Sequence, residues 1–551
     1  MVRVTVFLLL LLLVSNVVSE PFTVETLPGF DGQLPFTLET GYIGVGEEEK
    51  VQLFYFFVQS ERDPLNDPLM IWLTGGPGCS GLSSFVYEIG PLTFDYANSN
   101  GNFPKLELNS YSWTKVANII FIDQPAGTGY SYANTSEAYN CNDTLSVTLT
   151  YNFLRKWLMD HPEYLNNPLY VCGDSYSGIF VALLTRKIYD GIEVGDKPRL
   201  NIKGYIQGNA LTDKYIDFNG RIKYANHMGL ISDKIYQSAK TNCNGSYFDV
   251  DPHNILCLND LQKVAKCLKN IRRAQILEPY CDLPYLMDIL QETPTNGQSV
   301  FPIAGPWCRE KNYIYSYVWA NDKVVQKALN VREGTTLEWV RCNESMHYRG
   351  KERTESYVYD VPSAIDDHRH LTSKSCRALI YSGDHDMVVP HLSTEEWIDT
   401  LKLPIVDDWE PWFVDAQVAG YKVKYLQNDY ELTYATVKKD NQIEVATEPD
   451  PTKNKEVHRN QQRTFQHWNP IRRRFTLEKG KFCDNARDPE EDKNPFDDLP
   501  EDNDMGQEVG SVEEKETIEL SEADNTDTIN KEEHTTINWV NQSFYKRRAQ
   551  W

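Results

Sequence analysis

The sequence predicts an α/β protein whose central sheet is mostly parallel, and three observations carry this prediction. Short apolar strands alternate with helical stretches between residues 36 and 208, which is typical of a sheet covered by helices on both faces. One apolar run, at residues 169–172, ends in a tight turn with Ser175 at its apex, and an apolar helical stretch follows. After a long insertion the strand pattern resumes at residues 377–382. Both parts of the chain are therefore expected to contribute to one sheet.

The strands and helices follow one another in a regular order. Apolar or alternating patterns predict strands at residues 36–43, 51–58, 69–73, 118–123, 169–172, 202–208, 377–382, 421–426 and 432–437. The last two should form a hairpin around Asn428 and Asp429. Helices are predicted at residues 145–158 and 179–189, on either side of the strand that precedes Ser175.

Residues 212–367 differ in character from the parts that form the sheet. Helical segments of mixed polarity, at residues 216–228 and 255–273, are interleaved with cysteines and prolines. We interpret this stretch as an insertion that lies over the sheet as a helical cap.

The first nineteen residues have the pattern of a secretory signal peptide. Arg3 supplies a positive charge, residues 4–14 are almost unbroken apolar, and Val17 and Ser19 fit the small positions before a cleavage site. Residues 1–19 are therefore expected to be removed, leaving a secreted or vacuolar protein. No later stretch is long and apolar enough for a membrane-spanning helix, so no membrane partner is expected.

The globular pattern stops at Lys439, which gives a domain of residues 20–438 and a tail of residues 439–551. The tail is polar and charged, a composition that cannot bury enough apolar surface to order itself. Residues 488–533 hold nineteen acidic residues against three lysines, so they supply −16 of the net charge of −24. The rest of the chain carries only −8, so this acidity says little about a substrate. Two short basic clusters in the tail are interpreted as solvated charge, with no nucleic-acid partner.

Cysteine usage agrees with the secretory pathway, because disulfides persist outside the cytosol. The chain has eleven cysteines but no Cys-x-x-Cys pair and no tight cluster of cysteine and histidine, so no metal or cofactor is expected. Five sequons for N-linked glycosylation lie at Asn134, Asn142, Asn244, Asn343 and Asn541.

The turn at Ser175 has the layout of a nucleophile elbow, in which a strand, a tight turn and a helix present an exposed serine. Small residues surround the serine, although Ser177 stands where the strict pattern has glycine. The N–H of Tyr176 would provide one oxyanion donor, and the glycine-rich loop at Gly75 and Gly76 could provide the second. A serine followed much later by an acid, Asp386, matches the chain order of an α/β-hydrolase.

Four motifs in this order resemble the serine carboxypeptidases, and especially the plant serine carboxypeptidase-like group. They are residues 72–80 (WLTGGPGCS), 121–131 (FIDQPAGTGYS), 173–178 (GDSYSG) and 381–386 (YSGDHD). The resemblance runs from about residue 28 to 438. It implies an α/β-hydrolase fold with a helical cap, a secreted or vacuolar location, and activity on a carboxyl-derived group.

The resemblance also implies roles for individual residues. Ser175 would be the nucleophile, Asp386 the acid of the catalytic triad, and Gly76 and Tyr176 the oxyanion donors. The disulfides of the family map onto Cys79–Cys342, Cys243–Cys257 and Cys281–Cys308. The first of these would tie the oxyanion loop to the cap.

Two departures from the family bear on the substrate. Its peptidases carry Asn where this chain has Thr74 and Glu where it has Asp174, and that pair binds the free carboxylate of a peptide C-terminus. The combination found here, beside Gly75, resembles the branch that moves acyl groups from glucose esters to an alcohol or amine. The resemblance therefore favours a small-molecule acyl donor and acceptor, with a peptide C-terminus as the alternative. The sequence does not indicate an oligomeric state.

A third departure concerns the base. The family places a histidine in a Gly-x-Gly-His loop just after the strand at residues 432–437, whereas here Lys439-Asp440-Asn441-Gln442 follows and the next histidine is His458. Three explanations stay open: foreign sequence joined after Lys438, a truncated inactive homologue, or a histidine of the tail, such as His458 or His467, acting as base. A protein that keeps the fold but only binds, as a glycoprotein without catalysis, is a further alternative. His385 adjoins Asp386 but lies on the wrong side of it in chain order, and His368, His370 and His391 are interpreted as surface or cap residues.

Overall fold

The computed structural model describes residues 22–99, 103–278, 309–346, 357–414 and 416–438. The predicted signal peptide and the predicted tail lie outside the described residues, as do Cys281, Cys308 and Asn541.

The strands, β1 to β16 in chain order, include every strand that the sequence predicts. They are β1 Phe22–Val24, β2 Leu38–Val45, β3 Val51–Val58, β4 Leu69–Leu73, β5 Leu92–Phe94, β6 Leu106–Leu108, β7 Asn118–Ile122, β8 Tyr132–Ala133, β9 Cys141–Asn142, β10 Leu169–Asp174, β11 Ile202–Gly208, β12 Tyr357–Val358, β13 Cys376–Gly383, β14 Ile405–Val414, β15 Gln417–Gln427 and β16 Tyr430–Val437. Strands β4, β7 and β10 are buried along their whole length because helices cover both faces of the sheet.

Twelve of these strands form one sheet in the order β1-β2-β3-β7-β4-β10-β11-β13-β16-β15-β14, with β8 paired to β3. The six central strands from β7 to β16 are parallel. Both edges are antiparallel, so the sheet is mixed rather than parallel throughout. The expected hairpin is present as β15 and β16, whereas the edge strand β14 was not predicted. Its residues are mostly exposed and its charged and aromatic residues do not alternate cleanly, so no strand pattern marked it.

The helices pack on both faces of the sheet and above its carboxyl edge. They are α1 Asp143–Asp160, α2 Ser177–Val194, α3 Lys214–His227, α4 Asp233–Asn242, α5 Ile255–Leu268, α6 Arg309–Asn321, α7 Lys323–Ala328, α8 Ile365–Leu371 and α9 His391–Thr400. Helices α1, α2 and α9 cover one face in a single apolar core. Helices α6 and α7, with the segment at residues 82–94, cover the other.

The cap has an apolar core of its own, built mainly by α3, α4 and α5. Met387, from the loop after β13, is buried in this cap core rather than in the sheet core. The loop that carries Asp386 is therefore packed into the cap. Among the helices within the described ranges, none combines the length and the apolar character that a bilayer-spanning segment requires.

Candidate active site

Ser175 lies at the turn between β10 and α2, in the geometry of a nucleophile elbow. Its φ is 55°, a left-handed conformation that is strained for a residue with a side chain and recurs at functional sites. Two backbone hydrogen bonds hold the turn. The Ser175 N–H donates to the Gly208 carbonyl at 3.0 Å, and the Ser175 carbonyl accepts from the Leu211 N–H at 2.8 Å. The strained serine is thus fixed by the neighbouring strand β11.

Small residues are required around the serine because backbones meet there. A Cβ atom on Gly173 would lie 2.4 Å from the Leu73 carbonyl oxygen, and one on Gly178 would lie 2.4 Å from the Leu211 carbonyl oxygen. Ser177, the departure from the strict pattern, is accommodated because its hydroxyl donates to the Asp174 carbonyl at 2.7 Å. The departure therefore adds a hydrogen bond to the turn instead of disturbing it.

The glycine-rich loop after β4 lies directly against the serine. A Cβ atom on Gly75 would lie 2.6 Å from the Cβ of Ser175 and 3.1 Å from its Oγ. Gly76 has a φ of 124°, which side chains disfavour. Within the described residues, the turn hydrogen bonds of this loop and the elbow do not use the N–H of Gly76 or of Tyr176. These two groups are therefore positioned as candidate oxyanion donors.

Residues 341–343 fix the oxyanion loop covalently and by hydrogen bonds. A disulfide joins Cys79 to Cys342. On either side of it, the Ser80 N–H donates to the Arg341 carbonyl at 2.8 Å, and the Asn343 N–H donates to the Gly78 carbonyl at 2.9 Å. The loop cannot move away from the serine without breaking these contacts.

A buried carboxylate, Asp123, holds the other end of the same loop. It accepts hydrogen bonds from the Ser80 hydroxyl at 2.7 Å, the Gly81 N–H at 2.7 Å and the Tyr130 N–H at 2.8 Å. Burial raises its pKa to about 6, although all three hydrogen bonds act in the opposite direction. Asp123 was not among the site residues that the sequence predicted, although it lies in a motif that carried the resemblance.

Asp386 lies in the loop after β13, at the same carboxyl edge of the sheet as Ser175. One of its oxygens, Oδ1, accepts from the Val388 N–H at 2.6 Å and, more weakly, from the Val389 N–H at 3.4 Å. Burial raises its pKa to about 7, opposed by these hydrogen bonds and by the charge of Arg221. The Arg221 guanidinium is itself buried, which lowers its pKa to about 10, and its Nε donates to the Val388 carbonyl at 2.8 Å.

Asn209 links the serine side of the site to the acid side, and sequence reasoning missed it. It follows β11 at a φ of 41°, next to the Gly208 carbonyl that accepts from Ser175. Its Oδ1 accepts from the Gly383 N–H at 3.1 Å, and its amide group also acts to lower the pKa of Asp386. The signal for it was a Gly-Asn pair at a strand end, because asparagine tolerates the left-handed conformation.

The histidines in the described part of the chain are not in contact with the serine or the acid. Seven of the eleven histidines lie in the described ranges, and no contact described for any of the seven is with Ser175 or Asp386.

Each of the four histidines named from the sequence has another environment, and the interpretation of His368 as a surface or cap residue is wrong, because it is fully buried against the sheet. His368 is buried against the Tyr205 hydroxyl at 2.8 Å, and burial lowers its pKa to about 3. His370 lies 3.3 Å from Asp190, and Nδ1 of His385 lies 3.1 Å from Asp384. His391 begins α9, where burial lowers its pKa.

Thr74 and Asp174, the two substrate-binding residues that differ from those of the peptidases, are both buried beside the elbow. Thr74 Oγ1 lies 2.8 Å from Ser84 Oγ, which also accepts from the Trp72 indole at 2.9 Å. The Thr74 hydroxyl is thus engaged by its own neighbourhood. Asp174 is the last residue of β10, and its side chain is buried.

Two of the three disulfides that the resemblance implies are present, Cys79–Cys342 and Cys243–Cys257. The third involves Cys281 and Cys308, which lie outside the described residues. Cys141, Cys172 and Cys376 are buried thiols whose pKa burial raises, as for inert core cysteines rather than nucleophiles. Within the described ranges, no group of three or more acidic, histidine or cysteine side chains is arranged to hold a metal ion.

The sequons differ in how their asparagines are used. Asn134 and Asn244 are exposed. Asn142 caps α1 by accepting from the Leu145 N–H at 2.7 Å, and the Asn343 amide donates to the Gly127 carbonyl at 2.8 Å. Asn134 and Asn244 are therefore the better candidates for glycosylation.

Comparisons with known proteins show which proteins this chain is similar to. A family model described as "Serine carboxypeptidase" matches residues 28–443. "Serine carboxypeptidase-like 19" of Arabidopsis thaliana is 43% identical over 447 residues, which cover 79% of this chain and 93% of the relative. "Serine carboxypeptidase-like 8" of the same plant is 44% identical over 434 residues, covering 78% of this chain and 93% of the relative.

A solved structure shares the fold. The prohormone-processing carboxypeptidase Kex1 of Saccharomyces cerevisiae superposes with a TM-score of 0.60 at 19% sequence identity, over 77% of this chain and 92% of that one. At this identity the likeness concerns the fold alone.

Proposed function

Because the chain belongs to the serine carboxypeptidase family, we propose that it forms an acyl-enzyme on Ser175 and passes the acyl group from a glucose ester to an alcohol or amine. The family supports a serine hydrolase or acyltransferase, and the choice of donor and acceptor is our proposal. We also propose passage through the secretory pathway to a secreted or vacuolar location, which the two disulfides support.

The proposed reaction has two steps with one covalent intermediate. The Ser175 oxygen attacks the ester carbonyl while its proton passes to a base, and the glucose oxygen leaves and takes that proton. The acceptor hydroxyl or amine then attacks the acyl-enzyme and forms the new ester or amide as the bond between the acyl group and the serine oxygen breaks. The acceptor's proton passes through the base to that oxygen, which regenerates the serine hydroxyl. In both steps the N–H groups of Gly76 and Tyr176 would stabilise the negative charge on the carbonyl oxygen.

The observation that carries the acyl-enzyme is the contact between the oxyanion loop and the serine. Gly75 lies so close to Ser175 that no side chain fits between them. Gly76 directly follows that glycine and Tyr176 directly follows the serine, so both N–H groups belong to residues that adjoin the contact. Two candidate donors next to a strained serine are what an acyl transfer needs, whichever acceptor completes the reaction.

The environment of Thr74 supports transfer over peptide hydrolysis. Its hydroxyl is engaged by Ser84, and its side chain lacks the amide group with which an asparagine would bind a substrate carboxylate. Asp174 is one methylene shorter than the glutamate of the peptidases, so a protonated carboxyl would reach less far. Both changes should weaken the capture of a free peptide C-terminus, which an acyl transferase does not require.

The general base is the component that the described residues do not supply. Asp386 is buried and would orient a histidine, yet the histidines nearest to it in sequence have other partners. A triad enzyme without its base retains only the catalysis of binding and of the oxyanion hole, roughly 10³–10⁴-fold over water. This observation favours a second candidate, a catalytically inactive homologue that binds its ligand as a glycoprotein.

A probe for an activated serine separates these candidates. The secreted full-length protein is treated with a fluorophosphonate probe, with Ser175→Ala as the control for labelling elsewhere. Labelling of Ser175 supports an active enzyme, whereas a folded protein that is not labelled favours the binding candidate. If labelling appears only with added imidazole, the elbow and oxyanion hole are competent and the base alone is missing.

A substrate pair then distinguishes the two reactions. The protein is incubated with a glucose ester plus an alcohol or amine acceptor, and separately with a peptide whose C-terminus is free or blocked. We expect the transferred ester or amide. Release of the terminal amino acid from the free peptide without any acyl transfer would establish the carboxypeptidase and refute our assignment.

A further inference from the structure

Tyr176, the residue after the serine, has a side chain that is anchored away from the elbow. Its hydroxyl donates to Oδ1 of Asp143 at 2.6 Å. The Tyr357 hydroxyl donates to the same oxygen at 2.7 Å, and the Val361 N–H donates to the other carboxylate oxygen at 3.0 Å. One carboxylate therefore collects three donors from two segments.

Asp143 is suited to this task by its burial and its place in the fold. It is fully buried in the first turn of α1, where the helix dipole favours a negative charge. Burial raises its pKa to about 6, and the hydrogen bonds from Tyr176, Tyr357 and Val361 act against that rise. All three donors thus favour the carboxylate form, and losing any of them would leave the buried charge less stabilised.

The two tyrosines bring different parts of the protein to this carboxylate. Tyr357 begins β12, which pairs with β9 immediately before α1. It belongs to residues 357–361, the segment that returns from the cap to the sheet. Tyr176 belongs to the elbow and packs edge-on against Phe180 and Tyr359, at 5.4 and 5.5 Å between ring centroids. The carboxylate joins the elbow to the returning segment at a point that neither disulfide reaches.

We propose that Asp143 is a positioning residue that holds the Tyr176 backbone N–H in place for the oxyanion, by anchoring the Tyr176 side chain to the segment that returns from the cap. The proposal rests on the acyl-enzyme proposed above, because it assigns a purpose to the position of this N–H. A donor displaced by about 1 Å can cost roughly 100-fold in rate. A side chain clamped at its far end limits that displacement, since the Cα and the N–H move with it.

The anchor also explains why a tyrosine, rather than any small residue, follows the serine. The Tyr176 backbone begins α2 as its N-cap, and no side-chain hydrogen bond caps the helix there. The side chain is free of a capping role and spans to α1 instead. Phenylalanine would keep the ring contacts and lose only the bond to Asp143, which makes it the informative substitution.

The first measurement does not depend on activity. Amide hydrogen exchange of the peptide covering residues 174–180 is compared in the full-length wild type, Asp143→Asn, Tyr176→Phe and Tyr357→Phe. We expect exchange of this peptide to be about fivefold faster in Asp143→Asn and in Tyr176→Phe, as the loss of one buried hydrogen bond predicts. Tyr357→Phe should have a smaller effect, because Tyr176 keeps its partner.

The matched control is Tyr430→Phe. Its hydroxyl makes a buried hydrogen bond of 2.8 Å to Tyr205, at the amino-terminal end of β16 and thus at the opposite edge of the sheet. It should leave exchange of the elbow peptide unchanged. Wild-type exchange of that peptide in both folded Asp143→Asn and Tyr176→Phe would overturn the proposal.

The second measurement uses the substrate that the wild type turns over. Tyr176→Phe should lower kcat about tenfold with KM within twofold, because an oxyanion donor acts in the transition state. An unchanged kcat in this variant would refute positioning even if exchange is faster. If exchange responds as expected but the wild type has no acyl chemistry, the clamp stands and the acyl-enzyme proposal fails.

Discussion

The serine side and the acid side of this site are supported in different ways. On the serine side, the oxyanion loop and the elbow are fixed by the Cys79–Cys342 disulfide, Asp123 and Asp143. All of these contacts lie before residue 362. On the acid side, the loop of Asp386 is held by cap residues, and the Asp384 N–H donates to the carbonyl of Val437, close to where the described residues end.

The difference teaches that the two halves of a triad can be lost separately. The contacts described for Ser175 and its loop all come from residues before Lys438, whereas the place for a base is expected just after it. A chain that departs from its family after this strand could keep a fully formed nucleophile. In the structure the elbow is formed, and the contacts described for the histidines do not include Ser175 or Asp386.

The largest contrast should come from the two disulfides. In the chain-entropy model, the Cys79–Cys342 bond closes a loop with a sequence separation of 263 and the Cys243–Cys257 bond one of 14. Cys79→Ser should therefore lower the free energy of unfolding by about 5 kcal/mol, against about 3 kcal/mol for Cys243→Ser. Denaturant unfolding of the two variants measures both.

The same variants test which side of the site each bond supports. Cys79→Ser should also abolish fluorophosphonate labelling at temperatures where the protein stays folded, because the oxyanion loop loses its tie. Cys243→Ser should retain the wild-type labelling rate. Equal labelling by the two variants would mean that the hydrogen bonds of Ser80 and Asn343 hold the loop without the disulfide.

A single glycine gives the next contrast. Gly75→Ala would place a methyl group 2.6 Å from the Cβ of Ser175, so the loop must move away from the serine. We expect labelling of Ser175 to slow at least about 100-fold, the loss seen when an oxyanion donor is removed. Gly229→Ala is the control, since its new Cβ meets nothing within 4 Å and its only cost is the strain of a left-handed backbone, at a φ of 71°, far from the elbow in sequence. A Gly75→Ala protein labelled as fast as the control would show that the loop can adjust without cost.

Much of the fold and of the serine side could be predicted from sequence because the signals there are local. A strand, a turn of small residues and a helix specify the elbow, and nearly every strand of the sheet has an apolar run of its own. The edge strand β14 lacked such a run, and Asp143 and Asn209 were missed for another reason. Their importance comes from partners distant in sequence, Tyr357 for Asp143 and Gly383 for Asn209, and no spacing in a single sequence encodes those contacts.

Asn209 provides a prediction on the acid side. Asn209→Gly keeps the left-handed backbone and removes only the side chain, whereas Asn209→Ala also strains the backbone. We expect Asn209→Gly to lower the free energy of unfolding by about 1–2 kcal/mol, because the Gly383 N–H loses its buried acceptor. Asn209→Ala should cost about 1 kcal/mol more. Thermal unfolding would contradict this reasoning if the alanine variant were the more stable of the two.

The smallest expected effect is on how the free energy of unfolding depends on pH. It arises because several carboxyl groups are buried in the cap and beside the sheet. Burial raises the pKa of Asp217 and of Asp386 to about 7, and that of Asp123 and of Asp143 to about 6. A raised pKa means that the folded state binds protons that the unfolded state has released, so each group adds stability below about pH 4 that is lost as the pH rises through 6–7. The buried His368, with its lowered pKa, acts in the opposite direction below about pH 6.5.

Four acids outweigh that histidine, so the protein should be more stable at pH 5 than at pH 7.5, by at least about 3 °C in Tm. Asp217→Asn isolates one contribution, since Asp217 accepts from the N–H groups of Thr212 and Asp213 and an asparagine oxygen can do the same without ionising. The variant should therefore flatten the pH dependence by about 1–2 kcal/mol between these two values, through relief of the buried charge at pH 7.5. A Tm difference that Asp217→Asn leaves unchanged would mean that this carboxyl group titrates near its ordinary value despite its burial, and that the pH dependence arises from the other three acids.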